Sequence, residues 1–135
     1  MILGARFLKD VASVNSYAYD EVAGFTEGDV TSVYFQLIDA NLDKSTQGFQ
    51  PAGRRIIPAT GATLSCVVQN LDSAIQVTRY ATNPFPDDRS IWKLDFFNTD
   101  KIRGTSNLKL ALSEGASVTR GLVKNGFRIQ PKDTL

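Results

Sequence analysis

The stretch SIWKLDFFN, residues 90–98, sets Trp92, Leu94 and Phe96 at alternate positions against Lys93 and Asp95. A period of two sends those side chains to opposite faces of a strand. The same period recurs along the chain. Val33, Phe35 and Leu37 alternate with Tyr34, Gln36 and Ile38 in residues 30–38, the strongest strand signal. Ala62, Leu64, Cys66 and Val68 share a face in residues 62–71, and Leu108, Leu110 and Leu112 share one before the turn signal at Gly115. Further β-rich runs cover residues 2–11, 14–22, 74–81 and 117–130. Residues 23–29, AGFTEGD, read as a turn, and Asn125-Gly126 as a hairpin turn or a bulge. No window of 11 residues holds a helical stripe. Within residues 70–82 a short helix is the alternative, because Leu71, Ile75 and Val77 do not alternate strictly. The spacing predicts an all-β fold: a single antiparallel β-sandwich of about seven to eight strands, one domain over residues 1–135.

Composition narrows the chemistry. Of 135 residues, 42% are hydrophobic and 21% charged, an ordinary globular mix that supports its own core. There is no histidine, so Ser-His-Asp triads, Cys-His dyads and most zinc sites are excluded. The lone Cys66 rules out an intramolecular disulfide, and its apolar setting, TLSCVV, reads as a small buried hydrophobe. Fifteen basic and 14 acidic residues give a formal charge of +1, which argues against nucleic acid as a partner while leaving room for a local patch. The N-terminus MILGARFLKD lacks the layout of a signal peptide, and no run reaches the roughly 20 apolar residues of a membrane helix. Synthesis in a reducing cytoplasm, with no membrane partner, is the expectation.

One segment breaks the pattern. Residues 39–61 connect two strands with little regular periodicity, longer than the ~12–15 residues of ordinary loops. The segment opens as DANLDKSTQGFQ, with Asp39, Asn41 and Asp43 spaced like the start of an EF-hand. Such a loop needs glycine sixth and a bidentate glutamate twelfth, where this chain has Lys44 and Gln50. The EF-hand reading fails. Further along stand Phe49, Pro51, Arg54, Arg55, Ile56 and Ile57, aromatic, arginine and aliphatic residues of the type that anchors interfaces. They are the candidate interface, as an arm reaching a neighbour or as an Ω-loop folded onto the chain's own core. An arm predicts that deleting residues 49–58 leaves a folded domain that no longer assembles.

Other constellations are weaker. Asp39, Asp43, Asp95 and Asp100 would form a calcium site only if loops brought them together. Asp87-Asp88 follows a proline in a turn, where neighbouring carboxylates point apart. Arg54-Arg55 and Lys101/Arg103 are small basic clusters, and no phosphate-cradling glycine loop is present. Trp92 and Phe96 belong to the core face of their strand, and Phe97 lies opposite. No catalytic residue, metal or cofactor is assigned.

The order VTSVYFQLIDANLDK, ATLSCVVQNLD, SIWKLDFFNTDKIRGTSNLKLALSEGASVTRGLVKNGFRI resembles virion structural proteins of tailed bacteriophages, over about residues 25–130. The parallel is to the β-sandwich of baseplate and tail proteins. A Trp92–Phe96 strand is followed by an Asp100–Gly104 turn, a Leu108–Gly115 strand and a last strand, Val118–Ile129. The insertion FQPAGRRIIPATG is not part of that pattern. The resemblance implies a non-enzymatic building block of tail, baseplate or neck, located in the virion, whose partners are copies of itself and other virion proteins. A capsid decoration protein is the close variant. A carbohydrate- or calcium-binding β-sandwich is the alternative from a different class, and an enzyme ranks last.

Overall fold

Strand alternation translates directly into the observed elements. A computed structural model describes residues 2–10, 18–20, 22–40 and 54–131, apart from the side chains of residues 9, 10, 18–20 and 54. Its strands are β1 (Leu3–Asp10), β2 (Ala18–Asp20), β3 (Ala23–Thr26), β4 (Thr31–Asp39), β5 (Arg54–Arg55), β6 (Thr63–Asn70), β7 (Gln76–Ala81), β8 (Ile91–Phe96), β9 (Gly104–Glu114) and β10 (Ser117–Gln130). Among the described residues there is no helix. Residues 71–74 are bends leading into β7, so the helical alternative for 70–82 is set aside. Residues 23–26, expected in a turn, form β3 instead, because Ala23 and Phe25 meet the apolar core.

The sheet differs from the expected sandwich. Hydrogen bonds trace one path, β8-β4-β1-β10-β9-β6-β7, and its two ends meet through the single bridge pair Thr82↔Lys93. The sheet therefore curls into a nearly closed barrel instead of forming two separate packed layers. It is also not wholly antiparallel. β10 pairs in parallel with β1 at Leu3↔Gly121 and with β3 over Phe127–Gln130. A register shift between Val123 and Phe127 lets the long strand change partners. Asn125 sits there with φ 55°, so Asn125-Gly126 is a bulge and not a hairpin turn. A Cβ on Gly121 would lie 2.1 Å from the Leu3 carbonyl oxygen, so only glycine lets β1 approach β10 this closely.

The interior holds the face that the sequence marked as apolar. Leu64, Cys66, Val68, Trp92, Leu94, Phe96, Leu108, Leu110 and Leu112 are all buried. Five phenylalanines from five strands meet inside. Phe7 stands edge-on to Phe127 at 5.3 Å and Phe25 lies 4.6 Å from Phe96. Such pairs each contribute about 0.5–1.5 kcal/mol beyond their buried area. Registers place residues 40, 56–62 and 82–90 at one end of the barrel, and residues 27–30, 71–75 and 97–103 at the other.

Candidate functional site

The end near residue 57 carries the second half of the long connection. β5 pairs with β4, Arg55 opposite Ile38 and Arg54 opposite Asp39. The Ile56 amide donates to the Leu37 carbonyl at 2.8 Å, and its side chain packs on the core. Pro58 is buried, the Ala59 amide donates to Glu114 Oε2 at 2.9 Å, and Arg89 Nη1 donates to Thr60 Oγ1 at 2.7 Å. Ile57 alternates outward and is 55% exposed. Residues 54–60 are thus fastened to the barrel, with Ile56 turned in and Ile57 turned out. Phe49, Pro51 and the Arg54 side chain lie outside the described residues.

Arg55 joins a polar chain that the sequence did not reveal. Arg6 donates Nε and Nη2 to Gln36 Oε1 at 3.0 and 2.9 Å. Gln36 Nε2 donates to Ser90 Oγ at 3.0 Å, and Ser90 Oγ to Asp88 Oδ1 at 2.5 Å. Asp88 Oδ2 faces Arg55 Nη1 at 4.0 Å. Gln36 and Ser90 are buried, so each must find partners, and here a cation and a carboxylate polarise the neutral links between them. Asp87 is exposed and takes no part in this polar chain.

The seam between β7 and β8 is held by a second device. Arg79 forks onto Asp100, Nη1 to Oδ2 at 2.6 Å and Nη2 to Oδ1 at 2.5 Å, and donates to the Asp95 carbonyl at 3.2 Å. Asp100 Oδ2 also accepts the Phe97 amide at 2.7 Å. The Phe97 ring lies 4.7 Å under the guanidinium. Burial alone would raise the Asp100 carboxyl, but the hydrogen bonds from Arg79 and Phe97 and the Arg79 charge outweigh it and hold it below the usual carboxylate range.

The candidate calcium ligands are not brought together. Asp39 accepts the Ile2 amide at one end of β4. Asp95 accepts from Ser32 Oγ at 2.7 Å near the other end, about 24 Å away at ~3.4 Å per residue. Asp100 is engaged by Arg79, and Asp43 lies outside the described residues. Among the described residues no three His, Cys, Asp or Glu side chains converge as a metal site. Cys66 is buried and its thiol is pushed up to about 12, by burial, against a weaker pull from the Ala81 backbone.

An open cleft of about 780 Å³ lies at the opposite end of the barrel. Its wall is organised by Asn70, a buried amide at the end of β6. Asn70 Nδ2 donates to the Arg103 carbonyl and to Ser106 Oγ, while Oδ1 accepts the Asp72 amide at 2.9 Å and Ser73 Oγ at 3.1 Å. The side chain folds NLDS into an Asx turn, a signal present in the sequence but indistinguishable there from any polar loop. Lys101, Arg103 and Arg128 line the cleft with Glu27, which pairs with Arg103 at 3.7 Å.

No known protein family, curated protein or solved structure matches this chain.

Proposed function

We propose that this protein is a non-enzymatic structural component of a phage virion, in the tail, baseplate or neck, assembling in multiple copies. The observation that carries the reading is the strap of residues 54–60 at one end of the barrel. Several hydrogen bonds fix it, and it holds the aliphatic Ile57 out to solvent at a set position. An exposed apolar anchor on a rigid support is what a subunit contact needs, because little side-chain freedom is lost on docking. The motif order from Trp92 to Ile129 supports the same reading by its resemblance to tail and baseplate sandwiches. A capsid decoration protein would use the same anchor. The dispersed carboxylates give no support to a calcium-binding module.

Deleting residues 49–58 would also withdraw Ile56 and Pro58 from the fold, so Ile57→Asp is the cleaner test. The expected result is a wild-type protein that sediments as an oligomer and enters particles, and an Ile57→Asp protein that stays folded and monomeric. A wild-type monomer at every concentration, also absent from purified particles, would refute the proposal. Millimolar calcium is expected to leave the melting temperature unchanged, and a rise of several degrees would revive the metal-binding alternative.

A further inference from the structure

Charge is sorted unevenly around the barrel. β6, β7, β9 and β10 contain Arg79, Lys109, Arg120, Lys124 and Arg128 against Glu114 alone, although the whole chain is only +1. Arg79 is taken by Asp100 and Glu114 by the Ala59 amide. Lys109, Arg120 and Lys124 stand on the outer surface, all exposed, and none forms an ion pair with a described residue. The register sets Leu122 beside Lys109 and Arg120 beside Ala111. Leu122 is 45% exposed and Val118 47%, so apolar surface lies among the cations on one continuous face.

We propose that the outer face of β9 and β10 is a docking surface for an acidic protein of different sequence. Three features select that occupant. Cations that pair with no described carboxylate attract negative charge, steering the encounter and fixing orientation. Val118 and Leu122 gain from burial only against another apolar surface, which a phosphate backbone does not offer. Stacking on bases needs aromatic side chains among the cations; β9 and the outer side of β10 have none, and the exposed Tyr80 stands on β7, separated from β9 by β6. A second copy is a poor fit. Face to face it would oppose like charges; Asp88, Asp95, Asp100 and Glu27 already face Arg55, Lys93, Arg79 and Arg103 of their own chain, and the exposed Asp29 and Asp72 lie at one end of the barrel with Asp87 at the other. The inference concerns a different surface from the Ile57 strap and stands whether or not the protein belongs to a virion.

The test uses labelled polyglutamate, a labelled glutamate–tyrosine copolymer and labelled duplex DNA, titrated with the full chain at low salt and followed by anisotropy. The copolymer should bind most tightly. Replacing Lys109, Arg120 and Lys124 together by Gln should weaken that binding about tenfold, as expected for three exposed charge pairs. Leu122→Ser should abolish the preference for the copolymer over polyglutamate. All four side chains point outward, so the variants should melt within a few degrees of wild type. Tighter binding to DNA than to either polypeptide, an unchanged affinity in the triple variant, or no binding to the copolymer would each overturn the proposal.

Discussion

The β7–β8 seam offers the sharpest test of how this barrel is held shut. Among the described residues only the Thr82↔Lys93 pair bridges this seam by backbone hydrogen bonds; Asn83 Nδ2 reinforces it with a bond to the Ile91 carbonyl, and Arg79 spans the stretch toward Asp95 and Asp100. Arg79→Met keeps most of the aliphatic stem and removes both hydrogen bonds to Asp100 and the one to the Asp95 carbonyl. The two side chains are 25% and 9% exposed, so the pair is mostly but not wholly withdrawn from water. Hydrogen bonds to charged groups are worth about 1.5–3 kcal/mol each when buried, and solvent screening here brings the total loss to roughly 2–4 kcal/mol. For a domain of this size that lowers the melting temperature by roughly 6–15 °C. Asp100→Asn should cost a similar amount, and the double variant less than the sum, since each single change strands the other partner.

The pH dependence separates this cause from lost packing. The folded state holds the Asp100 carboxyl below its unfolded value. Its contribution is therefore fully present above the unfolded value of about 3.9 and disappears as pH falls through the lower folded one. Wild type should lose stability faster than Arg79→Met across that acidic window, and the gap between them should narrow. Thermal unfolding at neutral pH and in steps down to strong acid reads this directly. A loss below about 0.5 kcal/mol at neutral pH would place the pair among ordinary surface ion pairs and refute the clasp. A gap that does not change with pH would show that packing, not charge, was lost.

Gly121→Ala should disrupt the β1–β10 contact, because the new Cβ would meet the Leu3 carbonyl at 2.1 Å; a loss of about 3 kcal/mol or more in urea unfolding is expected. Asn70→Ala leaves the Asp72 amide and the Arg103 carbonyl without that partner and should cost about 1–3 kcal/mol, with faster amide exchange confined to residues 71–75 as the signature. The Cys66 thiol, buried and pushed up to about 12, should resist a disulfide reagent at mildly alkaline pH and react only at the rate of unfolding. Prompt labelling of the native protein would contradict its burial.

Strand positions were legible because alternation is a local signal. Trp92, Leu94, Phe96, Leu108, Leu110 and Leu112 face inward as their spacing indicates, and β10 spans the expected residues 117–130. β3 was missed because AGFT is short and glycine-bearing, and only pairing with Phe127–Gln130 makes it a strand. Arg79 and Asp100 are 21 residues apart, and Arg6 and Ser90 are linked through Gln36, so no spacing rule marks them as partners.

By itself the sequence determined which residues are strands and which faces are apolar, because a pleated backbone imposes a period of two wherever one side is buried. Tertiary structure alone decided that the strands close into one curled sheet. Edge pairing joins segments as distant as Leu3 and Gly121, and the choice between two layers and a ring rests on a close approach that glycine permits and a seam that one arginine spans. The charge-sorted face is intermediate. Its residues are visible in the order of letters, but only the register that sets Lys109 beside Leu122 makes them a surface.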